Sequence, residues 1–110
     1  MSVDNPAIVD AIGVESDSRR VILTISDHLD WSDEQEHLFA LQEKINTYLR
    51  LIESGELEVA YPDARGRVAV IDVVGKYELT EGARAFFRSA TSVLRDARVE
   101  LRTRHLLDVD

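Results

Sequence analysis

The sequence contains no cysteine, which excludes disulfide frameworks, thiolate zinc sites and cysteine nucleophiles and is compatible with a reducing compartment. Two prolines and five glycines interrupt its 110 residues, and the glycines, at 13, 55, 66, 75 and 82, are all isolated. No glycine-rich loop is therefore available to cradle a phosphate. No window approaches the roughly 18 uninterrupted apolar residues of a membrane-spanning helix. The start, Met1-Ser2-Val3-Asp4-Asn5-Pro6, has neither the basic residues nor the apolar run of a signal peptide. We expect a cytoplasmic protein without membrane contact. Positive charge is also short, with 13 Lys and Arg against 21 Asp and Glu, a formal net charge of −8 at pH 7. A field of that sign opposes binding to a phosphate backbone, so nucleic acid is not the expected partner.

What remains is a chain that is 45% hydrophobic, long enough for one core and too short for two. We read residues 1–110 as a single α+β domain. From Val9 to Ser26 two apolar segments flank the polar stretch Glu15 to Arg19, the pattern of a β-hairpin. In its second strand Val21, Leu23 and Ile25 share one face and Ile22, Thr24 and Ser26 the other. Ser32 followed three residues later by Gln35 is a capping-box pattern and predicts a helix start. Leu38, Leu41, Ile45, Tyr48 and Ile52 then form an apolar stripe, with Glu43 and Lys44 off it, until Gly55 ends the helix. Leu57, Val59 and Tyr61 alternate with Glu56, Glu58 and Ala60 and suggest a short strand. Val68 to Val74 reads as a central strand interrupted by Asp72, which either faces solvent or holds an arginine. Thr80 caps a second helix with the stripe Ala83, Phe86, Phe87, Ala90, Val93, Leu94 and Ala97, and Val99 to Arg104 is the last strand. The expected architecture is two-layered: a mostly antiparallel sheet of four to five strands, two helices on one face, and the order ββα(β)βαβ.

Charge is uneven along the chain. Residues 1–75 carry 15 acidic and 6 basic side chains, whereas residues 76–110 carry 6 and 7. The densest polar cluster is Ser26-Asp27-His28-Leu29-Asp30-Trp31-Ser32-Asp33, continuing to Glu36 and His37. Asp27, Asp30 and Ser32 are suited to turns and caps between strand and helix. Asp27, His28, Asp30, Trp31, Asp33 and Glu36 together also make an acidic surface with one large aromatic, a composition suited to binding a protein. A metal site is the alternative. His28, Asp30, Asp33 and His37 are of the right ligand types, and Asp33 and His37 share a helix face, but no established metal-binding spacing frames them.

No catalytic constellation stands out. His28 between Asp27 and Asp30 would be held protonated and make a poor general base, and no Gly-x-Ser-x-Gly elbow frames Ser26 or Ser32. Arg84, Arg88 and Arg95 put positive charge on one side of the second helix, and Arg98, Arg102 and Arg104 follow. Such a stripe is ordinarily a solvated face.

Several runs, namely Asp4-Asn5-Pro6, Val9-Asp10-Ala11-Ile12-Gly13, Ile25-Ser26-Asp27-His28-Leu29-Asp30-Trp31, Leu41-Gln42-Glu43-Lys44-Ile45-Asn46 and Tyr61-Pro62-Asp63-Ala64, resemble a family of small uncharacterised bacterial proteins, a domain of unknown function. The resemblance spans most of the chain and implies a bacterial single-domain protein, with no activity attached. The sequence thus leads us to expect an acidic protein-interaction module without catalytic activity or cofactor. Metal binding or metal-dependent catalysis through His28, His37 and neighbouring carboxylates is the alternative, and self-association a third reading.

Overall fold

The computed structural model describes residues 11–15 and 19–108. The two apolar segments around residues 15–19 give strands β1 (Ala11–Val14) and β2 (Arg20–Asp27), and the three-to-four-residue apolar spacing that follows gives helix α1 (Glu34–Glu53). A short helix α2 (Glu56–Ala60) and a 3-10 turn (Pro62–Ala64) lead into β3 (Val68–Gly75), α3 (Glu81–Asp96) and β4 (Glu100–His105). The sheet order is β1-β2-β3-β4. Val9 and Asp10 of the expected hairpin, and its turn residues 16–18, lie outside the described residues.

The sheet corrects the expectation of mostly antiparallel strands. Only β1 and β2 pair antiparallel, while β2–β3 and β3–β4 are parallel. The physical reason is in the connections: neighbouring strands joined by a whole helix are crossovers, and a crossover returns the chain in the same direction. Two crossovers of one hand that step the same way across a sheet leave both helices on the same face.

That face holds the core. Val21, Leu23 and Ile25 of β2 and Ile71 and Val73 of β3 are buried against Leu41, Ile45 and Tyr48 of α1 and Phe87 and Leu94 of α3. The Tyr48 hydroxyl donates to the Thr24 carbonyl at 3.1 Å, so the buried phenol is satisfied by the sheet beneath it. Lys44, expected off the stripe, is buried with its ammonium 5.5 Å from the Tyr48 ring centre. Its four-carbon stem lets a nominally polar residue fill an apolar position.

Local differences have local causes. Asp33, rather than Ser32, caps α1 and accepts from the Glu36 amide at 3.2 Å, because Ser32 is held by Asp30. Residues 56–60 are helical instead of extended: Leu57 is buried while Val59 is 81% exposed, so their alternation does not mark a sheet face. Gly55 sits at φ 84°, a left-handed conformation that costs glycine little, and follows the last turn of α1 as expected. Thr80 caps α3, accepting from the Ala83 amide at 3.1 Å.

The other face of the sheet carries a charge network. Asp72 is fully buried there, with Arg104 Nη2 at 2.5 Å from Oδ2 and Arg102 Nη2 at 3.4 Å. Arg102 also approaches Glu15 at 3.6 Å, and Arg20 donates to Glu100 at 3.2 Å. Asp72 therefore holds two arginines of the neighbouring strand, which takes Arg102 and Arg104 out of any free basic stripe. Among the described residues no helix is long and apolar enough to cross a membrane.

The contrast between Leu41 and Val59 gives a direct check of where the core lies. Leu41→Ala is expected to lower the unfolding free energy by about 2–5 kcal/mol. Val59→Ala should change it by less than about 0.5 kcal/mol in the same urea titration.

Candidate functional site

By strand alternation Asp27 faces the same side as Val21, Leu23 and Ile25, at the carboxyl end of β2. It is 4% exposed, an unfavourable setting for a carboxylate unless a partner reaches it. The first turn of α1 supplies that partner. His37 Nε2 lies 2.6 and 2.7 Å from the two Asp27 oxygens, and its Nδ1 lies 3.0 Å from the Asp30 carbonyl. A carbonyl oxygen only accepts, so Nδ1 carries a hydrogen, and Nε2 is left to share a proton with Asp27. The Trp31 ring stacks on the imidazole with centroids 3.6 Å apart and covers the pair. Asp27 also accepts from the Leu29 amide at 3.2 Å, which sets the turn out of the strand.

Burial raises the Asp27 pKa above the ordinary carboxylate range, with the hydrogen bond and charge of His37 opposing that shift only in part. Asp30 shifts the other way. Its Oδ1 accepts from the Ser32 hydroxyl at 2.6 Å and from the Ser32 amide at 3.1 Å, and both bonds favour the ionised form. The two helix starts are joined as well: Thr80 Oγ1 donates to the Glu34 carboxylate. That carboxylate fills the space beside Gly82, where a Cβ would lie 2.8 Å from Oε1.

Register places Asp27 beside Gly75 and Gly75 beside His105, at the carboxyl ends of three parallel strands. A cleft of about 210 Å³ opens there, lined by Asp27, Gly75, Tyr77, Arg84, Thr103 and His105 among others. The site offers a carboxyl–imidazole pair that can hold or release one proton, together with hydrogen-bonding groups on the facing wall.

The predicted residues separate into two sets. Asp27 and His37 are buried and bonded to each other, whereas His28, Asp30, Asp33 and Glu36 are exposed and Trp31 is half-buried. His28, Asp30, Asp33 and His37 are not brought together as a ligand set: both nitrogens of His37 are engaged, and Asp33 caps the helix. Among the described residues no three His, Asp or Glu side chains are grouped to hold a metal. Sequence reading missed Gly75 and His105 and placed Arg84 only in a solvated basic stripe. Their one signal is that Asp27, Gly75 and His105 each end a strand, which becomes informative only when the strands are parallel.

The model of a family of unknown function, DUF6572, matches residues 1–106. The chain belongs to that family. Its match takes in the whole Asp27 to His37 corner and all three strand ends, so the buried pair and the cleft lie inside the DUF6572 region. Neither a curated protein nor a solved structure matches the chain.

The raised Asp27 pKa has a defined consequence for stability. The folded state holds this proton more tightly than the unfolded chain, so the Asp27 contribution falls as pH rises from about 4, the ordinary aspartate value, through the raised value. Asp27→Asn removes that titration. In urea unfolding at a series of pH values, the stability of the wild type relative to Asp27→Asn should decline across that window and level off above it. A difference that stays constant or increases with pH would contradict this.

Proposed function

We propose that this chain is a non-catalytic protein-interaction module that takes a basic partner segment at the corner between β2 and α1. One observation carries the reading: Asp30, Asp33 and Glu36 project exposed carboxylates around the half-buried Trp31, on a corner fixed from below by the Asp27–His37 pair. A preformed acidic surface loses little side-chain entropy on binding, and its charge steers a basic partner toward it. Trp31 supplies the kind of aromatic anchor on which binding energy concentrates. Its Nε1–H is buried with no hydrogen-bond partner among the described residues, an unfavourable state that a partner's acceptor relieves. We place this role in the cytoplasm of a bacterium, in keeping with the acidic, cysteine-free composition and the resemblance described above.

The test separates charge from fold. Asp30→Asn and Asp33→Asn keep the turn and cap acceptors while removing their charge, and Glu36→Lys reverses a third. The triple variant should keep the wild-type circular dichroism spectrum and lose proteins that co-purify with the wild type from a native lysate. Retention of every partner by the triple variant would refute the corner as the binding surface.

A further inference from the structure

We infer that the outer surface of the helical layer is the interface of a two-fold homodimer, with α1 of one copy lying along α3 of the other. Three features of this surface lead to it, beginning with its apolar groups. On α1, Phe39 is 61% exposed, and on α3, Val93 is 61% exposed although it belongs to the apolar stripe. Between the helices a groove of about 190 Å³ is lined by Ile45, Phe86, Ala90, Val93 and Leu94, with Gln42 and Asn46 on the α1 side. The apolar arc of α3 is thus wider than the sheet beneath it can cover.

The second feature is shape. Stepping 100° per residue, the middle of the outward row of α3 is Ala85, Ser89 and Ser92, short and exposed, with Glu81 and Asp96 at its two ends, whereas the outward row of α1 carries the bulky Phe39. A protruding ring on one helix and a shallow row of small residues on the other are complementary, but only between copies, because within one copy both face outward.

The third feature is charge, and it selects the occupant. The flank of α1 turned away from α3 carries Glu36 and Glu43, and the flank of α3 turned away from α1 carries Arg84, Arg88 and Arg95. None of these five side chains makes an ion pair among the described residues. Both helices follow strands of a parallel array, so they run in the same direction, and the bond of Thr80 to Glu34 sets their starts level. A two-fold axis parallel to the helices and above the groove lays α1 of one copy over α3 of the other without changing its height. Counting from the level of Glu34 and Gly82, Glu36 then meets Arg84, and Glu43 falls between Arg88 and Arg95. By symmetry each contact occurs twice. Helices of 20 and 16 residues offer roughly 500–600 Å² per copy, at the lower end for a specific association.

Sedimentation velocity over a concentration and salt series tests the assignment. The wild type should form dimers that weaken with added salt. Phe39→Glu should abolish them. Glu43→Arg, and separately the double variant Arg88→Glu with Arg95→Glu, should each weaken the dimer about tenfold or more, because every reversal acts at two symmetric places. Mixing these two variants in equal amounts should restore a heterodimer, since each α1 then again meets an α3 of opposite sign. A wild type that stays monomeric throughout overturns the proposal, as does a dimer indifferent to these substitutions or a mixture that fails to recover. Glu36 serves both surfaces, so the neutral substitutions at Asp30 and Asp33 separate them: they should leave the dimer intact while weakening capture at the acidic corner, and the two failures are then distinguishable.

Discussion

Strands β2 and β3 are parallel neighbours, and a tight turn cannot close a parallel pair. The chain must travel back along the whole sheet before β3 begins, and α1 makes that journey; α3 repeats it between β3 and β4. From this constraint the remainder follows. Both helices cover one face, which becomes the core, while the opposite face is left to Asp72 and the arginines around it. The carboxyl ends of three strands and the starts of two helices collect at one edge. Asp27, His37, Glu34 and Thr80 then meet there despite their separation in sequence.

At that edge the carboxylates, buried or exposed, are paired locally. Asp27 is matched to His37, Asp33 to the first turn of α1, Asp30 to Ser32 and Glu34 to Thr80. Each bond satisfies a backbone or side-chain group that burial or a helix end would otherwise leave unpaired. What is left for a partner is the outer rim of the same corner, held in position by the groups beneath it. The charge of −8 therefore has two parts: carboxylates that build the molecule and carboxylates that face outward.

How much of this was legible in the sequence depends on the range of the interaction. The β2 alternation, the α1 stripe, the Thr80 cap and the end of α1 near Gly55 all arise from neighbours a few residues apart, and they appear where their patterns place them. Ser32 and Asp33 both suit the one cap, and with the Ser32 hydroxyl bonded to Asp30 it is Asp33 that caps. Leu57, Val59 and Tyr61 alternate like a strand, yet among the described residues they join none of the four strands of the sheet, and residues 56–60 wind into a helical turn instead. Lys44 reads as surface because its head is charged, although a flexible stem can pack it beneath the helix.

The α+β class, the positions of the main helices and strands, the exclusion of thiol chemistry and the segment in which polar groups concentrate can all be read along the chain. Periodicity, capping chemistry and composition are local properties of the chain. The mixed sheet, the meeting of Asp27 with His37 across ten residues, the cleft that Gly75 and His105 share with Asp27, and the exposure of Phe39 and Val93 emerge on folding. Those facts depend on which strands neighbour one another and in which direction. That choice is made by long-range packing of whole elements, for which a single sequence carries no local mark.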